Sequence, residues 1–129
     1  MLKQKNITVH VISLCVLLIG FVLARYVFLK LHNMYQWPVF LLMVGMFIIV
    51  ISFFLKTKKL PVFTALAYTV GFWAGVIFQT DGVDVGGAKT NNLWIIWTIV
   101  FISFPMVATI VTKTFSVIKR EKRDRQTEV

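Results

Sequence analysis

Acidic residues are scarce in this chain, and none falls inside an apolar run. Five Asp and Glu stand against 14 Lys and Arg, for a formal net charge of +9. Asp81 and Asp84 lie between the third and fourth apolar runs, and Glu121, Asp124 and Glu128 lie near the C-terminus. His10 therefore has no carboxylate within the apolar runs to work with as a proton relay. A single cysteine, Cys15, excludes an intramolecular disulfide. No Ser–His–Asp set and no Cys/His cluster with metal-ligand spacing occurs. The expectation is a non-enzymatic protein with no cofactor, no catalytic residues and no metal centre. Charge of either sign is thin too, at 15% of residues against about 25% in a soluble domain.

What fills the space is apolar, at 58% of residues. Residues 6–24, 31–55, 60–80 and 90–112 contain no Lys, Arg, Asp or Glu, in runs of 19, 25, 21 and 23 residues. A bilayer-spanning helix needs roughly 20 predominantly apolar residues. The expected fold is an all-α integral membrane protein, a bundle of four transmembrane helices in one domain over 1–129. The spans fall at about 7–28, 38–55, 61–79 and 93–112, with an outer loop at 80–92 and a basic tail at 113–129. Pro38 and Pro61 suit first-turn positions, where the missing N–H is not needed. Asn92 suits the cap of the fourth helix, and Gly82 the exit turn of the third. The apolar region Ile7–Ala24 is longer than the roughly 7–15 residues of a signal-peptide core and is followed by no A-x-A site, so it reads as a permanent helix.

Lys and Arg counts in short loops set orientation. Lys3 and Lys5, then Lys56, Lys58 and Lys59, then Lys113, Lys119, Arg120, Lys122, Arg123 and Arg125 share one side, eleven in all. Arg25, Lys30 and Lys89 make three on the other. Both termini are expected in the cytoplasm, at the cell membrane of a bacterium. Trp37, Trp94 and Trp97, with Tyr26 and Tyr35, then mark the outer interface, where part-polar rings are favoured. The basic tail is expected to meet anionic lipid head groups rather than nucleic acid.

Four features carry the functional expectations. Arg25 lies at the outer boundary with the only two acids of that side, so Arg25, Asp81, Asp84 and Asn91 form a candidate outer polar cluster, with an ion pair from Arg25 to Asp81 or Asp84 as its sharpest form. Two carboxylates fall short of the six to eight oxygen ligands of a calcium site, and the glycines of "DGVDVGG" lack the phosphate-loop pattern. Ala67, Gly71 and Gly75, at spacings of four, form a small-residue face for helix packing inside the bundle or between copies, with Thr64 and Tyr68 nearby as hydrogen-bonding groups. Pro105 interrupts the fourth span and is a candidate hinge, with Ser103 or Thr109 placed to satisfy the freed backbone.

"GFVLARY", Gly20–Tyr26, bears a faint likeness to the Gly…Arg-Tyr element of double-barrelled fluoride channels, but the spacing differs and their other motifs are missing. Small multidrug transporters share the length and span count, but work through a glutamate in the first helix that this chain lacks. No family is assigned. The leading expectation is a small multi-pass protein that acts through helix–helix association or as an accessory subunit, with a second copy or another membrane protein as partner. The alternative is a small oligomeric transporter or channel, or a holin-like or immunity-type membrane protein.

Overall fold

The computed structural model of the protein describes residues 2–28 and 36–127, with side chains from residue 6 onward. Lys30 and Tyr35, and the side chains of Lys3 and Lys5, lie outside the described residues. The chain is 83% helical. Its elements are α1 (Leu2–Val22) continuing into a π-helical turn (Leu23–Phe28), α2 (Trp37–Phe54), α3 (Lys59–Phe78), strands β1 (Asp81–Val83) and β2 (Lys89–Asn91), and α4 (Leu93–Thr127). All four helices are long and apolar enough to cross a membrane. Their outward faces carry large apolar side chains, among them Ile19, Phe47, Ile77 and Ile99, all exposed. So continuous an apolar surface is unsuited to water and suits lipid.

α3 is the centre of the bundle and packs on α1, α2 and α4. Its small residues explain why. Ala67, Gly71 and Gly75 are all buried. A Cβ on Gly71 would lie 2.8 Å from Trp97 Cδ1 and 3.1 Å from the Trp97 carbonyl. One on Gly75 would lie 3.0 Å from the Leu93 carbonyl. The α3 and α4 backbones thus approach as closely as the missing side chains allow. Trp97, Tyr68, Phe101 and Leu17 are the largest fully buried side chains. Trp97 is edge-on to Tyr68 and Phe72, each at a centroid distance of 5.1 Å. The expectation that Trp97 belongs to an interfacial belt is corrected. Facing Gly71, its indole has a pocket in the core, and its Nε1–H donates to the Tyr68 carbonyl at 2.9 Å.

The start of α2 is tied to the other helices by polar tips on apolar rings. The Tyr68 hydroxyl donates to the Pro38 carbonyl at 3.0 Å, and Trp37 Nε1–H donates to Thr98 Oγ1 at 2.9 Å. Thr98 in turn donates to its own Trp94 carbonyl. Thr64 does not reach across the bundle; it is buried and bonds the Leu60 carbonyl of its own helix. Hydroxyls along α4 do the same. Ser103 donates to Ile99 O and Thr109 to Pro105 O, neither to the Phe101 carbonyl that Pro105 leaves without its helical donor. The expected backbone rescue by these two side chains is therefore not made, because a back-bond to the preceding turn is the nearer option.

α4 runs well past the expected end at Thr112. Its 35 residues span about 52 Å at 1.5 Å per residue, against roughly 30 Å of hydrocarbon. Residues 113–127 contain no Gly or Pro and are rich in Lys and Arg, which favour helix. Glu121 and Arg125 close an i,i+4 ion pair at 3.1 Å. The basic tail is thus a helical extension of the apolar part of α4.

Candidate functional site

The segment between α3 and α4 folds as a β-hairpin, where the sequence suggested an open loop. Asp81 pairs with Asn91, Gly82 with Thr90 and Val83 with Lys89, antiparallel. Gly82 is therefore a strand residue and not the exit turn of α3. The tip is organised by Asp84. Its amide donates to the Ala88 carbonyl at 3.0 Å and its carbonyl accepts from Gly87 N–H at 3.0 Å. Its carboxylate accepts from Gly86 N–H at 2.8 Å and Ala88 N–H at 2.9 Å. Gly87 has φ +82°, the left-handed residue that a three-residue hairpin loop needs after its turn. Asp84 thus uses its side chain to hold the loop, as aspartate does in turns, and Val85 stands fully exposed at the tip.

The base of the hairpin is braced against both helix ends. Asn91 Nδ2 donates to Gln79 Oε1 at 2.7 Å and to Asp81 Oδ1 at 3.0 Å, while Asn91 Oδ1 accepts from Leu93 N–H at 2.6 Å. Asn92 Oδ1 accepts from Thr80 N–H at 2.6 Å. The Asn92 carbonyl accepts from the Ile95 and Ile96 amides in the first turn of α4, so Asn92 occupies the cap position but turns its side chain to the end of α3. Two asparagines thus join the exit of α3, the strand pair and the entry of α4. Gln79 and Thr80 belong to this network and were not singled out in the sequence; the run Gln-Thr-Asp opposite Thr-Asn-Asn was the available signal.

Of the expected outer cluster, the structure joins Asp81 to Asn91 and keeps Asp84 within its own turn. Arg25 joins neither. In the π-helical turn its guanidinium lies 5.8 Å from the Phe21 ring centre and 5.7 Å from that of Tyr26. Such contacts hold a cation without a carboxylate. Among the described residues the one ion pair is Glu121–Arg125, so the expected Arg25–aspartate pair is not made. Both aspartates are already engaged by amide groups of the hairpin, and Arg25 emerges beside aromatic rings.

Pro105 is buried against the rest of the bundle. It lines a surface groove of about 410 Å³ with Phe101, Ile102, Met106, Ile48 and Leu60, and Lys113 is the last lining residue along α4. His10 is also buried. Its Nδ1–H donates to the Asn6 carbonyl at 2.7 Å, and its ring stands edge-on to Phe53 of α2 at 5.5 Å. Its environment is helix packing, since α2 covers it. Cys15 is exposed on the outward face of α1.

No family model matches the chain, no curated protein resembles it, and no solved structure is similar to it.

Proposed function

We propose that this chain is an accessory subunit of a bacterial cytoplasmic membrane, non-enzymatic, which presents a braced β-hairpin to another membrane or extracytoplasmic protein. In this reading the four helices span the bilayer, both termini and the basic extension of α4 lie in the cytoplasm, and the hairpin faces outward. The eleven-to-three distribution of Lys and Arg supports the orientation.

The observation that carries the reading is the hairpin itself. A connection between two adjacent antiparallel helices needs only a few residues. Here the chain forms two strands, an aspartate-held turn and an asparagine brace, and then leaves Val83 and Val85 uncovered. Rigid backbone with exposed apolar tips is suited to contact with a partner, because little conformational entropy remains to be lost on binding. The bundle axis, filled by Leu17, Tyr68, Trp97 and Phe101, favours this role over conduction through a single copy.

The test is site-specific photo-crosslinking in cells from position 85. The expected outcome is one discrete adduct that persists with Lys119→Gln and disappears with Asn91→Ala, which unbraces the hairpin. Adducts indifferent to Asn91→Ala, or none from either position 83 or 85, would remove the reading. Reproducible saturable flux through liposomes containing only this protein would favour a transporter instead.

A further inference from the structure

The groove beside Pro105 combines two properties that belong to one kind of ligand. Its walls come from α2, the start of α3 and the middle of α4, and they are apolar apart from Thr109 and Lys113. Thr109 has spent its hydroxyl proton on the Pro105 carbonyl. Lys113 is the first charged residue of α4. Leu60, also in the wall, follows the connection that carries Lys56, Lys58 and Lys59, so these lysines lie at the same end of the bundle. No Asp or Glu occurs in the α2–α3 connection, and the nearest acid along α4 is Glu121, about 12 Å further by helical rise.

Size limits what can lie there. At about 410 Å³ the groove falls in the range of small-ligand sites, about 300–1,000 Å³. Its apolar wall suits a single hydrocarbon chain, and a helix from a second copy would bring no carboxylate to Lys113 from its charge-free runs. Its charged end accepts an anion.

We propose that this groove is a binding site for one anionic glycerophospholipid of the adjoining leaflet, with an acyl chain along Phe101, Ile102 and Met106 and the phosphate on Lys113, supported by the lysines of the α2–α3 connection. A phosphate there gains charge-assisted hydrogen bonds where a basic residue near the surface already attracts anionic lipid. The proposal rests on the membrane reading but not on the hairpin or its partner.

Native mass spectrometry of the full chain, released from nanodiscs containing equal amounts of phosphatidylglycerol and phosphatidylcholine with matched chains, tests it. The expected result is a single retained lipid with phosphatidylglycerol favoured by about five-fold or more, the scale of one Lys near a surface. Lys113→Gln should bring that preference close to one-fold, while Lys119→Gln, further along the helix, should leave it intact. Ile102→Trp, which fills the groove, should lower retention of both lipids without changing the oligomeric mass. Equal retention of the two lipids by the unaltered chain overturns the proposal without need of any variant. Equal losses with Lys113→Gln and Lys119→Gln would show a diffuse charge film in place of a site. A change of oligomeric mass with Ile102→Trp would show that protein occupies the groove. Loss of the position-85 crosslink would leave all these outcomes untouched, so the two readings fail separately.

Discussion

Replacing Gly71 with alanine should loosen the bundle at its tightest contact. In an ordinary helix the change would be favourable, since Ala is better than Gly by about 1 kcal/mol. Here the new Cβ meets Trp97 Cδ1 at 2.8 Å and the Trp97 carbonyl at 3.1 Å. Neither neighbour yields easily. The carbonyl is α4 backbone, and the indole is fully buried and held by its 2.9 Å bond to the Tyr68 carbonyl. Overpacking of this kind costs about 1–3 kcal/mol, and swinging the indole away would forfeit about 1 kcal/mol more with its hydrogen bond. The two costs exceed the propensity gain, for a net loss of about 1–3 kcal/mol. Reversible unfolding in mixed micelles, followed by tryptophan fluorescence, measures it. Val70→Ala, one residue away on the exposed face, serves as control and should stay within about 0.5 kcal/mol. A neutral or stabilising Gly71→Ala would mean that α3 and α4 are not in this register.

The hairpin gives three further expectations. Asp84→Ala removes the two hydrogen bonds its carboxylate accepts from Gly86 and Ala88 N–H at the tip, so hydrogen exchange at these two amides should quicken by roughly two- to tenfold while helix amides keep their rates. Gly87→Ala forces an L-residue to φ +82° and should cost the hairpin about 1–2 kcal/mol, seen as faster exchange across both strands. Asn91→Ala breaks three bonds and should expose 80–92 to limited proteolysis, whereas Thr90→Ala should not. A double-mutant cycle between Arg25 and Asp81 should give a coupling under about 0.5 kcal/mol; a larger favourable coupling would restore the ion pair that Arg25's aromatic contacts replace.

The helices were legible because outward-facing and core-facing residues are both apolar, so charge-free runs mark their length directly. The small-residue stripe at 67, 71 and 75 was legible as a packing face for the same reason that it works: four-residue spacing stacks residues on one side. Its neighbour was not legible, since nothing in one sequence says that Trp97 is the residue opposite Gly71. The hairpin escaped because three-residue strands are too short to show alternation, although Asp84 with Gly86 and Gly87 carried the turn signal. Arg25 and the aspartates share one edge of the bundle in the sequence reading. Position along a helix axis, however, does not fix the azimuth, and the π-helical turn at Leu23–Phe28 changes where Arg25 emerges. The helical tail was hidden by reading charge as the end of a span, when Lys, Arg and Glu end a membrane span without ending a helix.

The sidedness of the two polar extremes decides whether the helices cross the bilayer with the hairpin outside and the tail inside. In a Cys15→Ser background, cysteine is placed either at Val85 on the hairpin or at Gln126 near the end of α4, and intact cells are treated with a membrane-impermeant thiol reagent. The proposed topology requires labelling of position 85 in intact cells and of position 126 only after lysis. Labelling of position 126 in intact cells with position 85 protected until lysis, or labelling of both without lysis, would contradict it.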